Sequence, residues 1–301
     1  MPHGPSKSLD MHAALLLILL AIVWGGSFFF AEVALTEVPP LTITLHRVAL
    51  AVPCLGLLLA LRRLRVPLQP RIWGAYLVMG ALNNAIPFSL IFWGQTQIDS
   101  GLASILNATT AMFAAVVAGL LLRDEPLTRH KVAGATLGLA GVAFIMGPGV
   151  LSNFSLGNLA QLAILGATLS YAFAGVWARV TLANQSPLVN AIGMLVGSTV
   201  LMIPVVLHIE GPPDPGLSAG VWAALLGLAA LSTALAYALY FAILVRAGAA
   251  NLLLVTLLIP PVAIGLGVMF LDEQMQPSAW VGFGIIALGF AVTDGRLFKR
   301  A

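Results

Sequence analysis

The amino-acid sequence predicts an all-α polytopic membrane protein. Ten transmembrane helices are expected as two inverted five-helix repeats, with both termini cytoplasmic. Three observations carry this expectation: the composition, the placement of the cations and an internal duplication. Of 301 residues, 60% are hydrophobic and 8% charged, and the mean hydropathy is +1.01. A soluble chain carries about 25% charged and about 45–50% apolar residues. This chain has too little polar surface to cover itself in water, which excludes a soluble enzyme, a disordered protein and a coiled coil. Its length divides well into spans of roughly 20 residues with short loops. The formal net charge of +3 fits positive cytoplasmic loops better than nucleic-acid binding. Cys54 is the only cysteine, so one chain makes no disulfide, cysteine-based zinc site or iron–sulfur cluster.

Apolar windows fall at 12–31, 41–61, 72–93, 100–122, 131–147, 157–178, 188–207, 219–241, 249–271 and 279–295. Their continuous apolar character reads as helix, because barrel strands would alternate every second residue. The first window follows Lys7 and imitates a signal peptide. It runs over 13–30, longer than a signal core, and closes on Phe28, Phe29 and Phe30 instead of a small-residue cleavage site. It therefore reads as a retained span. Separators stand at 37–40, 62–71, 147–149 (Gly147-Pro148-Gly149) and 210–215, all rich in proline, glycine or charge. The fifth and tenth windows are the shortest. The domains expected are a cytoplasmic tail at 1–11, a first repeat at 12–148, a second at 157–295 and a cytoplasmic tail at 296–301.

With the N-terminus inside, thirteen of the fourteen Lys and Arg fall on inside segments. They are Lys7; Arg62, Arg63, Arg65 and Arg71; Arg123, Arg129 and Lys131; Arg179; Arg246; and Arg296, Lys299 and Arg300. The outside loops hold none, as the positive-inside rule requires. A wrong span count would scramble this partition. Shifting the chain by 148 residues lays Gly119, Asp124, Glu125, Gly134 and Gly141 on Gly267, Asp272, Glu273, Gly282 and Gly289. Phe92-Trp93 lands on Tyr240-Phe241, and Trp73 meets Trp222 after a one-residue slip. An odd number of spans per repeat turns the second copy upside down. The charges agree: Arg123, Arg129 and Lys131 around the first Asp-Glu pair become Leu271, Pro277 and Ala279 around the second. Inverted repeats are characteristic of transporters with a site near the bilayer midplane.

Trp24-Gly25 in the first span, Arg47 in the second and the Asp-Glu…Gly…Gly pattern closing each repeat resemble the drug/metabolite transporter superfamily, and within it the EamA family. Residues 12–295 are similar to amino-acid exporters of the YddG type. The resemblance implies a cell inner membrane carrier that moves small metabolites by alternating access. It implies export of amino acids, aromatic ones included, while other branches of the superfamily move drugs, sugars or nucleotide sugars.

Helix geometry points separately to a cavity. Polar groups within spans need partners or line a wet space. Asn84, Pro87, Phe88 and Ile91 share one face of the third span. Asn107 and Thr110 share a face in the fourth; Ser170 and Trp177, with Tyr171 beside them, do so in the sixth. Thr233, Tyr237 and Tyr240 line the eighth, and Trp24, Ser27 and Phe28 the first. Together they describe an aromatic lining with amides and hydroxyls and no fixed charge. It suits small zwitterionic or aromatic solutes, whose ammonium groups aromatic faces attract. Ordinary interhelical packing is the alternative for each residue. Arg47 costs roughly 2.5–3.5 kcal/mol at span depth on insertion scales. It either binds a substrate carboxylate or serves as a structural partner by snorkelling or bonding carbonyls of a neighbouring helix.

Pro260-Pro261 frees carbonyls near Thr256 and Leu257, so a kink is expected there, as a gating hinge or a static feature. Pro53, Pro87 and Pro204 read as static. The glycines at 134, 138, 141, 282, 284 and 289 read as close helix contacts. The two Asp-Glu pairs read as helix-start or salt-bridge groups. No carboxylate lies mid-span, which favours gradient-driven movement over proton or sodium coupling. No basic cluster for polyanions and no phosphate-binding loop for ATP is present. No cofactor, metal or nucleic acid is expected. The partners are a small-molecule substrate and membrane lipid, and a single chain suffices. A channel, or an intramembrane enzyme lacking any nucleophile–base pair at matching depth, are the alternative classes.

Overall fold

The computed structural model describes residues 10–146 and 155–294, apart from the side chains at 249, 250 and 294. The two expected tails, with Lys7, Arg296, Lys299 and Arg300, and the separator at 147–149 lie outside the described residues. Among the described residues the chain is helical and contains no strand. Five helices make the first half: α1 Met11–Leu35, α2 Pro40–Leu61, α3 Pro70–Gln95, α4 Ser100–Leu121 and α5 Arg129–Met146. Five make the second: α6 Leu156–Thr181, α7 Pro187–Ile209, α8 Ala219–Gly248, α9 Val255–Phe270 and α10 Pro277–Asp294.

Seven of these, α1–α4 and α6–α8, are long and apolar enough to cross a membrane. The helix α5 opens on Arg129, His130 and Lys131, and α9 and α10 are apolar but shorter. At about 1.5 Å per residue, the 16 residues of α9 rise about 24 Å, less than the roughly 30 Å of a hydrocarbon core. The windows make the fifth and tenth spans the shortest, yet α9 is shorter still. The reason is local. Gly248 sits at φ +81°, a conformation few L residues adopt, and 253–254 form a turn, so the ninth window is cut at its start. The helix runs unbroken through Pro260 and Pro261.

Two helices contain wider, π-helical turns: α3 at 81–85 and α8 at 227–235. Pro87 explains the first. It has no N–H to give the carbonyl of Asn83 one turn back, and the turn relaxes outward. In the second, the Thr233 hydroxyl donates to the Leu228 carbonyl five residues back, at 2.8 Å. The offset of 148 residues carries 81–85 onto 229–233, inside that second stretch.

Large apolar side chains face outward, among them Leu15, Ile18, Leu57, Val200, Ile203 and Met269. Buried and half-buried hydroxyls turn back on their own helices: Thr44 donates to Pro40 O, Thr199 to Leu195 O and Ser198 to Met194 O. Lipid offers no other partner, so this local satisfaction is what a bilayer-exposed helix requires. Between helices, small residues bring backbones together. The Tyr76 ring of α3 seats on Gly193 of α7, and a Cβ at Gly197 would stand 2.7 Å from the Tyr76 carbonyl. The tightest pair is α5 with α10. A Cβ at Gly141 would meet Gly282 O at 2.9 Å, and one at Gly289 would meet Gly134 O at 2.7 Å. As the number rises from 134 to 141 on α5, the partner falls from 289 to 282 on α10, so the helices cross antiparallel.

The bundle is charge-polarised. One end carries Arg62, Arg63, Arg65, Arg71, Arg123, Arg129, Lys131, Arg179 and Arg246. The other carries Glu32, Glu37, Asp99, Glu210, Asp214, Asp272 and Glu273 and, among the described residues, no Lys or Arg. We call them the basic and acidic ends.

Candidate functional site

The π-helical turns aim polar side chains at the seam between the halves. Wide turns of this kind often mark functional positions. From α2, Arg47 reaches into the seam and is 6% exposed. Its Nε donates to the Thr233 hydroxyl at 3.0 Å and its Nη2 to the Ser232 carbonyl at 3.3 Å. The guanidinium carbon stands 3.9 Å from the centroid of the Phe88 ring, a cation–π contact. The phenols of Tyr171 and Tyr237 lie within electrostatic reach. Beside them, the Asn83 amide donates to the Tyr237 hydroxyl at 3.2 Å, and that hydroxyl donates to Asn84 Oδ1 at 3.4 Å. Asn84 in turn donates to Ser198 Oγ at 2.9 Å. Trp24 and Tyr240 face each other with ring centroids 6.0 Å apart.

The structure thus brings together Arg47, Asn84, Phe88, Tyr171, Thr233 and Tyr237, with Trp24 and Tyr240 as a second aromatic pair. Ser27 is buried on α1 one turn from Trp24. Three predicted residues are engaged elsewhere. Ser170 donates to Leu82 O at 2.7 Å, the Trp177 indole to Ala75 O at 3.0 Å, and Thr110 to Asn107 O at 2.7 Å. The first two tie α6 to the backbone of α3, and the third is a bond within α4. Asn107 is different: its Oδ1 is buried with no hydrogen-bond partner. Asn83, Ser198 and Ser232 belong to the seam and were missed. A strict 3.6-residue period puts Asn83 and Asn84 on diverging faces, and the wide turn changes that register. The detectable signal was the Asn-Asn pair four and three residues before a mid-span proline.

A cavity of ≈ 400 Å³ lies at the basic end, lined by Ala111, Ala114 and Ala118 of α4, Gly175 and Arg179 of α6 and Phe290 of α10, among others. Its volume is within the range of small-ligand pockets. Arg179 at the mouth pairs with Asp124 at 2.5 Å and also with Glu125, both exposed.

The acidic end is joined differently. Three glutamates cap helix starts in the opposite half. Glu273 accepts from the N–H groups of Ser100 at 2.8 Å and Gly101 at 3.2 Å. Glu210 accepts from Leu41 at 3.0 Å and from both the N–H and the hydroxyl of Thr42, at 2.7 and 2.8 Å. Glu37 accepts from Ser218 N–H at 2.8 Å. Unsatisfied amides and the helix dipole both favour an anion there. The two Asp-Glu pairs therefore serve both expected roles: a salt bridge at the basic end, and at the acidic end a cap on another helix.

Hydrogen bonds from the Ser218 side chain and backbone hold the Glu37 carboxyl below its ordinary range. A depressed carboxyl contributes its bond fully above the ordinary value and loses it as pH falls through the lowered one. Thermal stability of the purified protein should therefore carry a small Glu37 contribution that is flat from pH 8 to about 5 and disappears below about pH 4.3. The Glu37→Gln variant should lack that step, and an identical acid profile in both proteins would refute the assignment.

A sequence profile of the EamA-like transporter family matches this chain twice, over residues 11–147 and 158–293. The uncharacterized transporter YoaV of Bacillus subtilis is 24% identical over 94% of this chain and 97% of its own. The uncharacterized inner membrane transporter YedA of Escherichia coli is 28% identical over 92% and 88%. A probable terminal-alkyne amino-acid exporter of Streptantibioticus cattleyicolor is 25% identical over 94% of both chains. A solved crystal structure matches 96% of this chain and 98% of its own with a TM-score of 0.67 at 19% identity, a likeness of fold alone.

Proposed function

The chain belongs to the EamA-like transporter family, and within it we propose a secondary carrier that exports amino acids, aromatic ones included, across the cell inner membrane. It is a membrane transporter and not an enzyme. The observation that carries the finer reading is the seam: a bonded set of amides, a phenol and hydroxyls between the halves. The resemblance to a probable amino-acid exporter supports the solute class.

We read ten crossings in two inverted repeats, with the basic end and both termini cytoplasmic. Positive charge on one end alone supports the orientation. The α5–α10 contact supports the inversion. The offset of 148 exchanges Gly134 with Gly282 and Gly141 with Gly289, so it maps the Gly134–Gly289 contact onto Gly282–Gly141. Equivalent helices that meet reciprocally and antiparallel are related by a twofold axis lying across them, which is the inverted arrangement. Local bilayer thinning accommodates short helices such as α9. Transport then alternates between a state open at the basic end and one open at the acidic end.

Proteoliposomes holding the purified protein should take up labelled amino acids without ATP, saturably and with counterflow. Linear flux without counterflow would instead mark a pore. Transport of drugs with no amino acid accepted would move the solute class elsewhere in the superfamily. Tyr237→Phe removes the hydroxyl shared by Asn83 and Asn84 and should raise KM about 3- to 10-fold, a loss of about 0.7–1.4 kcal/mol, typical of one hydrogen bond. Unchanged kinetics would remove Tyr237 from the site.

A further inference from the structure

We propose that Arg47 takes the carboxylate of the transported solute, so that the seam selects small zwitterionic or singly anionic carboxylates over amines. The inference rests on the carrier reading above and names the group by which the solute is recognised. Arg47 is 6% exposed in a largely apolar bundle, yet its charge is not neutralised. Among the described residues no Asp or Glu pairs with it, and the ion pairs formed by Arg179 and Arg246 lie at the basic end. Its two hydrogen bonds go to neutral acceptors, a hydroxyl and a carbonyl, and its remaining amino group, Nη1, has no acceptor among the described residues. A guanidinium always keeps its proton, so this fixed cation has no route to neutrality except a counter-anion.

A purely structural bridge between α2 and α8 needs no charge. The bond to the Thr233 hydroxyl is made by Nε, the place along the side chain that the amide nitrogen of an uncharged glutamine also occupies. The surroundings fit a carboxylate instead. Guanidinium N–H groups match carboxylate oxygens in direction, and the Tyr171 phenol within electrostatic reach is a further donor. Binding across the seam also couples the solute to both halves, because Arg47 belongs to the first and its present acceptors to the second. The opposite pole of a zwitterion is provided for separately. The Trp24–Tyr240 pair offers aromatic faces to an ammonium group. A cationic amine without a carboxylate meets Arg47 as a like charge.

The test uses four probes of one shape: leucine, leucinamide, 3-methylbutylamine and 4-methylpentanoate. Each is measured in counterflow with wild type, Arg47→Lys and Arg47→Gln, after a panel of the twenty amino acids. Wild type should prefer leucine over leucinamide and the amine by at least tenfold. Arg47→Gln should raise the leucine KM at least tenfold and erase that preference. Arg47→Lys, which keeps the charge and loses the planar fork, should fall between. Thermal stabilisation of the detergent-purified protein by 4-methylpentanoate, absent with 3-methylbutylamine, gives a readout independent of transport. If Arg47→Gln fails to fold, Arg47→Lys must still raise KM for carboxylates while leaving leucinamide unchanged. Carboxylate transport that ignores both substitutions, or equal transport of the amine, overturns this inference and leaves the carrier standing. Movement of no amino acid and no carboxylate overturns the amino-acid reading and this inference with it.

Discussion

Gly134→Val should yield a chain that inserts but does not hold α5 against α10. An added Cβ at Gly134 would overlap the Gly289 carbonyl and stand 2.7 Å from Thr293 N. These obstacles are backbone, and no rotamer change relieves them. Overpacking against flexible neighbours costs about 1–3 kcal/mol; with rigid ones on a second helix, the upper end or more is expected. The reciprocal contact at Gly289 fails in the same movement, since a separation at one glycine opens both. Gly284→Ala on the same helix α10 is the control. No atom stands within 4 Å of its added Cβ, so it should remain within about 1 kcal/mol of wild type. Monodisperse yield and thermal unfolding in detergent would report the difference. Equal stability of the two variants would mean that the close approach is not needed.

This contact also shows what was legible in the residues. The glycines at 134, 138, 141, 282, 284 and 289 were read as close helix contacts because small residues recur where lipid-embedded helices touch; five are, whereas Gly284 faces open space. Their pairing across the halves needed coordinates. The ten apolar windows match the ten helices within a few residues at most ends, because a run of apolar residues bounded by charge and proline leaves little choice of boundary. The exception is the junction of α8 and α9, where the positive φ at Gly248 and the turn at 253–254 move both boundaries by several residues in a way that hydropathy does not register. The polar seam was half legible. Arg47, Asn84, Thr233 and Tyr237 stand out as polar groups that lipid would reject. Trp177 and Ser170 were selected on the same ground, and they satisfy backbone carbonyls of α3 instead. Polarity says that a partner exists, and only geometry says whether that partner is a solute or a neighbouring helix. Asn83 escaped because the wide turn before Pro87 breaks the period on which face assignments depend.

Glu273→Gln should release the acidic end. In the present state the halves are held there by Glu37, Glu210 and Glu273, each on a helix start across the seam. At the basic end they are held by Arg179 with Asp124 and Glu125, whose side chains are 45%, 67% and 38% exposed. Exposed ion pairs contribute about 0–1 kcal/mol, whereas part-buried hydrogen bonds to a charged group, as at Glu210 and Glu273, contribute about 1.5–3 kcal/mol. Opening the acidic end therefore means breaking the stronger set, which fits a resting state closed there with its cavity at the other end. An amide at 273 keeps a neutral acceptor and loses the charge-assisted pair of bonds to Ser100 and Gly101. With each 1.4 kcal/mol worth a factor of ten, the balance should move about 10- to 150-fold toward the open form. Ser100→Cys in a Cys54→Ala background reads this directly. Ser100 is fully buried, its hydroxyl has no partner to lose, and its capped N–H is unaffected by the side chain. A membrane-impermeant thiol reagent applied from the acidic side should label it slowly alone and faster by that factor with Glu273→Gln. The same labelling with Glu125→Gln should change little, because the bond lost there is exposed. Equal rates with Glu273 and with Gln or Ala in its place would show that the carboxylate caps a helix without closing a gate. If Glu125→Gln has the larger effect, the basic end is the one held shut, and the order of strengths assigned to the two ends is reversed.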